Sequence, residues 1–384
     1  MQRIAIIVFY FGRLPWYHNF FIESCFNNKT VDFVFFSDNF TEERLNQNIR
    51  EVPFSLDEFN KLASDKLDLN IIVKSGLKIC DLRPAFGLIF EDFLVGYDFW
   101  GYADTDIILG RIREFITDDV LYSYDFISVV PEYPSGFFAI LRNVEKVNRL
   151  FTQSKDYKQL FTEDSNTLFE ECGGYYQDVI NGVNILDTLC PIETFHHLLE
   201  KNKHEISSLF EFFSIEGSPG NIHINNGTIT FLNEYEVMMY HLTNYKNNFF
   251  GSKPQWKKVP SQYTIFKYSF RATNRLNSFL GKSNDFNKLF LFKTLKKIDG
   301  FINISAKYDF KIGKFRYMHE YIELGKNGSY YINNTGNSIL KSTLYKNLFF
   351  IKGLNQYFFL SDKKKINLIL ETGRVLVYEY LDDC

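Results

Sequence analysis

Arg3-Ile4-Ala5-Ile6-Ile7-Val8-Phe9-Tyr10-Phe11, residues 3–11, is the stretch whose reading decides the fold class. It is an unbroken run of β-branched and aromatic side chains with no polar alternation, the pattern of a strand covered on both faces. A turn at Gly12–Pro15 follows, then Trp16–Asn27 with Phe20, Phe21 and Ser24 on one helical side, then a second apolar run at Val31–Phe36 ending in Ser37-Asp38. Strand, helix, strand in this order is a βαβ unit, and it opens an α/β fold with a mostly parallel sheet flanked by helices.

Outward from there, Leu56–Leu67 and Pro84–Leu94 carry apolar residues at helical spacing. Asp98–Tyr102 reads as a strand, and so do Phe126–Val130 and Phe137–Leu141 on either side of the Pro131–Gly136 turn. Val144–Phe151 and Tyr157–Phe161 are expected as helices, and Asn221–Leu232 as a hairpin turning at Asn226-Gly227. From about residue 300 the texture changes to short aromatic-rich strands between Gly, Asn and Lys turns, a small antiparallel β module. The expected division is an α/β catalytic domain over 1–252, a basic linking region over 253–299 and the β module over 300–384.

Composition narrows the partners. The net charge of −3 conceals 23 basic against 10 acidic residues over 253–384, and 20 against 36 over the rest. A basic C-terminal part suits an anionic surface, such as phospholipid headgroups at the inner face of a cytoplasmic membrane, or a phosphate-bearing acceptor. The same charge also reads as a solvated basic face. Nucleic acid is not expected. Cys25, Cys80, Cys172, Cys190 and Cys384 form no Cys-x-x-Cys pair, which argues against a zinc knuckle or a disulfide scaffold and fits a reducing cytoplasm. Ile4–Phe11 is too short for a signal peptide's apolar core with its cleavage site, and no other stretch approaches the ~20 apolar residues of a membrane span.

Chemistry concentrates in Asp98-Phe99-Trp100-Gly101-Tyr102-Ala103-Asp104-Thr105-Asp106. Two carboxylates one residue apart, at the end of an apolar strand, stand where open α/β sheets place their ligands. Where the strand turns, one can ligate a divalent cation while the other holds a ribose hydroxyl or a metal-bound water. A hard cation, Mn²⁺ or Mg²⁺, wants oxygen donors, and a diphosphate completes its shell. Lys78-Ile79-Cys80-Asp81-Leu82-Arg83-Pro84 sets two cations and an acid before a helix opened by proline. Lys78 or Arg83 could meet phosphate or sugar and Asp81 a sugar hydroxyl, or the group could be a capping and salt-bridge cluster. Glu170-Glu171, ahead of Cys172-Gly173-Gly174, offers a base for an acceptor hydroxyl, Glu171 first and Glu170 next. The alternative is a helix end stopped by glycine. His241 is a candidate third metal ligand or a satisfied core residue, and His196-His197 reads as surface.

The string KICDLRPAFGLIFEDFLVGYDFWGYADTDIILG, residues 78–110, resembles a family of bacterial surface-polysaccharide glycosyltransferases. Ile4–Pro15 and FFAILRN at 137–143 resemble the same family, so the likeness covers roughly residues 1–250. It implies a GT-A fold, a nucleotide-sugar donor, expected to be UDP-linked, a divalent cation, and a glycan or lipid-linked glycan acceptor. Asp104 and Asp106 match the family's Asp-x-Asp. Glu170-Glu171 falls where the family has Phe-Asp-Glu, and His241 where it has a late histidine. Phe9, Tyr10, Gly12 and Asp38 would border the nucleotide, with Lys78, Asp81, Arg83 and Asp104 lining the donor pocket. Two rivals stand beside this hexosyltransferase. One is a phosphatase of the haloacid dehalogenase type, whose Asp-x-Asp belongs on the first strand and prefers Thr or Val where Ile108 stands. The other is a non-catalytic glycan-binding protein using its aromatic tail.

Overall fold

Strand pleating sorts the side chains of residues 3–11 onto two faces, and both are buried. In a computed structural model, Ala5 and Ile7 pack on one side with Val34, Phe36, Trp100, Tyr102, Ala139 and Leu141. Ile4, Ile6 and Val8 pack on the other with Phe33, Phe35, Phe99, Ala103, Phe138 and Ile140. Alternate residues over 4–8, 33–36, 99–103 and 138–141 therefore feed two separate cores, the physical reason for the missing polar alternation. The structure describes residues 1–248, 251–254, 256–273, 280–283 and 285–287, together with the backbone of strands between Gly313 and Tyr380.

The central strands are β1 (Ile4–Tyr10), β2 (Val31–Ser37), β3 (Arg44–Asn46), β4 (Ile49–Pro53), β5 (Phe99–Ala103), β6 (Ile107–Leu109), β7 (Phe126–Ser128), β8 (Phe138–Arg142) and β9 (Ser208–Phe210). All but β6 join one eight-stranded sheet in the order β3-β4-β2-β1-β5-β8-β7-β9. Pairing is parallel across β4, β2, β1 and β5 and again between β7 and β9. It is antiparallel where β3 meets β4 and where β8 meets β5 and β7. The sheet is thus mixed, which refines the expectation of a mostly parallel one. The short Pro131–Gly136 connection leaves no room for a crossover helix, so β8 returns antiparallel to β7.

Helix α1 (His18–Phe26) buries Phe20, Phe21, Ser24 and Cys25, the expected face. Helix α2 (Leu56–Leu67) has the expected bounds, set by a capping box between Ser55 and Glu58 and by Asp68 in the left-handed region at its end. Pro84–Leu94 differs from the expected single helix. A 3-10 segment Lys78–Ala85, one turn of α-helix at Phe86–Ile89 and a 3-10 turn at Glu91–Phe93 replace it. Pro84 supplies no N–H for an α-helical bond, and Gly87 sits so close to the Trp100 and Asn148 side chains that a Cβ there would lie 2.6 Å or less from them. Asn226 and Gly227 both have positive φ, 47° and 85°, the turn that Asn-Gly announces.

The chain divides into two compact units. One comprises Met1–Ile215, Ile224–His241 and Trp256–Ser261, and the other Glu216–His223, Leu242–Gln255 and Gln262–Cys384. In the second, Gln262–Ile265 pairs antiparallel with Phe270–Ala272. Eight further strands between Gly313 and Tyr380 pair in sequence order and close, first strand on last. Within the basic linking region over 253–299, residues 255, 274–279, 284 and 288–299 lie outside the described residues, as do the side chains of the β module. No helix among the described residues is long and apolar enough to cross a membrane.

Candidate metal centre

β5 is held on one side by β1, with Val8 beside Ala103, and on the other by β8, with Ala103 beside Phe138. The chain leaves this frame at Asp104, whose N–H donates to the carbonyl of Phe137 at 2.9 Å. It turns through Thr105 and Asp106 and re-enters regular structure as β6. The strand Met239–His241 then lies antiparallel to β6 and sets His241 opposite Ile107. A residue remote in sequence therefore arrives beside the acids through one strand pairing.

Asp104, Asp106 and His241 each offer a ligand atom, and these atoms all lie within 4.8 Å of one another. Asp106 and His241 are buried, with the His241 Nε2 3.4 Å from Asp106 Oδ2, while the Asp104 side chain is one-third exposed. The His241 ring stacks on Phe137, centroids 4.0 Å apart and planes 27° apart. Among the described residues this is the one group of three or more such side chains gathered closely enough to hold an ion. Two carboxylates and an imidazole at this spacing could hold a divalent cation.

By the pleat, Asp104 falls on the Tyr102 face of the sheet. Arg83 meets it there, pairing with Asp104 Oδ1 while its guanidinium lies 5.2 Å from the Tyr102 ring centre. Lys78 and Asp81 have different surroundings. Both are fully buried, and the Lys78 ammonium donates to Asp81 at 2.7 Å and to the carbonyls of Leu160 and Ser165, which uses its three protons. Asp81 accepts from the backbone N–H groups of Thr167 and Phe169. This pair anchors the segment that leads into Glu170 and Glu171.

That segment is not a helix end. Leu168 has φ of 58°, which an α-helix excludes, and turns continue through Gly173 and Gly174 at 63° and 86°. Glu170 is buried with its Oε2 lacking a hydrogen-bond partner, and burial pushes its carboxyl well up, with the charges of Glu171 and Asp81 adding to the effect. Glu171 is also pushed up by burial. Its Oε1 accepts from Gly136 N–H at 2.8 Å and its Oε2 from the Tyr176 hydroxyl.

At the end of β1, the Gly12 N–H donates to both oxygens of Asp38, at 2.9 and 3.0 Å, and the Ser37 hydroxyl donates to the Tyr10 carbonyl at 2.6 Å. Gly12 has φ of 81°, a conformation glycine adopts without strain. Phe9 points into an aromatic group, stacked on Phe36 at 5.0 Å and tilted against Phe86 and Phe90. His197 is buried, its Nδ1 accepting from Thr194 N–H at 3.1 Å, and burial lowers the neighbouring His196 to about 4, so the surface reading of this pair is corrected. Three neighbours of the acids escaped the sequence reading. Phe137 opens the FFAILRN string but carries no ligand chemistry of its own, and Tyr176 has no motif around it beyond the Gly-Gly it adjoins. Tyr17 is raised chiefly by burial and then by the charges of Asp106, Tyr10 and Asp104. The four described cysteines, Cys25, Cys80, Cys172 and Cys190, are free thiols.

Residues 6–274 match the profile of a group described as "Family of unknown function (DUF6625)". No curated protein matches the chain. Among solved structures, the apo-form glycosyltransferase GlyE of Streptococcus pneumoniae TIGR4 is similar over 54% of this chain and 45% of its own, at 10% identity and a TM-score of 0.27. The chain spans less than half the length of that protein, and a superposition this loose leaves the chemistry to be read from the residues themselves.

Proposed function

The chain belongs to DUF6625, a family of unknown function, and we propose that it is a metal-dependent glycosyltransferase of the GT-A type. In this reading it moves a hexose from a nucleotide-diphosphate sugar, UDP-linked, to a bacterial surface glycan or its lipid-linked precursor. The observation that carries the reading is the convergence of Asp104, Asp106 and His241 just past the C-terminal end of a central strand. The resemblance of residues 78–110 to surface-polysaccharide glycosyltransferases supplies the reaction class.

Asp104, Asp106 and His241 would hold Mn²⁺ or Mg²⁺. Such an ion neutralises the negative charge that grows on a departing nucleoside diphosphate. The chain's own residues do the remaining work. Arg83, already paired with Asp104, would meet the phosphates, and its planar fork suits phosphate oxygens. The Gly12–Asp38 junction at the end of β1 would border the nucleoside, and Tyr10 with it. The basic stretch over 253–384 would meet an anionic acceptor or membrane surface from the cytoplasmic side.

The test is a donor screen by mass spectrometry, following nucleotide release with and without Mn²⁺ in the wild type and in Asp106→Ala. Metal-dependent release in the wild type, lost in a folded Asp106→Ala, is the expected result. Undiminished release in that variant would refute the assignment. Glycan binding indifferent to nucleotide and metal would favour a non-catalytic role.

A further inference from the structure

We propose that Glu171 is a positioning residue that fixes the Ser135–Phe137 turn against the metal cluster, and is not the base that deprotonates an acceptor. The inference rests on the metal-centre reading above and gives one of its residues a different task. Both carboxylate oxygens already have donors, the Gly136 N–H on Oε1 at 2.8 Å and the Tyr176 hydroxyl on Oε2. A general base must turn a lone pair toward the hydroxyl it serves, and here a backbone amide and a phenol stand first.

The turn that Glu171 grips touches the cluster twice through its next residue. The Phe137 carbonyl accepts from Asp104 N–H at 2.9 Å, and the Phe137 ring stacks on His241 at 4.0 Å. On its other side, the Ser135 carbonyl accepts from the Tyr102 hydroxyl at 2.8 Å. Gly136 is built for this grip, since a Cβ there would stand 2.2 Å from Glu171 Oε1. Behind Glu171, Asp81 holds the amides of Thr167 and Phe169, and Lys78 holds Asp81. A buried ion pair thus holds Phe169 by a hydrogen bond, the peptide chain leads two residues on to Glu171, and Glu171 holds the turn that seats one metal-ligating acid and packs on the imidazole. Burial raises the Glu171 carboxyl, but a base and a buried positioning acid share that property, so the contacts decide between them.

Mn²⁺ affinity measured calorimetrically without nucleotide, beside nucleotide release, separates the two roles. Glu171→Ala should weaken Mn²⁺ binding by about 10–100-fold, the usual effect of losing a residue that orients ligands. Gly136→Ala should shift it the same way. Glu171→Gln should stay within about threefold of wild type in both readouts, because its amide oxygen still accepts from Gly136 and its NH₂ can donate to Tyr176. Circular dichroism establishes that each variant folds, and Gly136→Ala with Glu171→Gln carries the test if Glu171→Ala does not. Wild-type Mn²⁺ affinity in Glu171→Ala, or a Glu171→Gln that binds Mn²⁺ normally yet loses nucleotide release, would overturn the proposal. A wild type that ignores Mn²⁺ would refute the metal centre itself.

Discussion

Lys78-Ile79-Cys80-Asp81 and Asp104-Thr105-Asp106 look alike as sequence, each a short charged motif beside an apolar run, yet the fold treats them in opposite ways. At the first, one cation meets one acid, and backbone groups take up the remaining protons and lone pairs. At the second, two acids and an imidazole converge, with Arg83 pairing the outer acid only. The difference teaches that a charged motif takes its role from what the fold brings to it. Strands and turns far away in sequence make that choice. They gather Asp104, Asp106 and His241 as donor groups around one point, whereas at Lys78 and Asp81 they supply backbone groups that hold a segment in place.

The comparison breaks most visibly in stability. Asp81→Ala strands a buried ammonium and should cost about 3–5 kcal/mol, read as a lower urea midpoint. Asp106→Ala removes one of two neighbouring carboxylates and should cost less than Asp81→Ala. Equal losses in the two variants would erase the distinction.

The imidazoles sharpen it next. Burial lowers His18 and His196 to about 4, so both are neutral in the folded chain. Unfolded, each takes a proton near pH 6.5, so the unfolded state binds more protons between those two values and stability falls as pH drops through that window. Each histidine should remove about 2 kcal/mol between pH 7 and pH 5. His196→Leu should lose that much less over the same interval in urea titrations, and an unchanged pH slope would count against the burial argument.

The smallest expected effect concerns Arg83. Its guanidinium occupies Asp104, so Arg83→Gln should tighten Mn²⁺ by about tenfold in the absence of nucleotide while weakening donor binding. Weaker Mn²⁺ binding in that variant would mean that Arg83 orients the carboxylate instead of competing for it.

Much of this was legible before any coordinates. Residues 3–11 foretold a doubly covered strand because a buried β-strand needs no polar face, and apolar residues at helical spacing foretold α2 over Leu56–Leu67. Acids at a strand end often just cap a helix or meet solvent, and Asp104 and Asp106 were legible because an apolar strand of an α/β fold and a family-like string lead into them. His241 was nameable but not placeable, since its approach depends on the pairing of Met239–His241 with β6. Partner saturation at Lys78 and Asp81 could not be read, because it comes from the carbonyls of Leu160 and Ser165 and the amides of Thr167 and Phe169, which carry no side-chain signature. The mixed sheet order likewise depends on where β8 and β9 insert, and the hydrophobic pattern of those strands is silent on neighbours.

The most direct measurement is calorimetric titration of Mn²⁺ into the full chain and into Asp106→Ala under identical conditions. One saturable site in the wild type, weakened at least about 100-fold in a variant of unchanged circular dichroism, is the predicted result. Indistinguishable isotherms for the two proteins would contradict it.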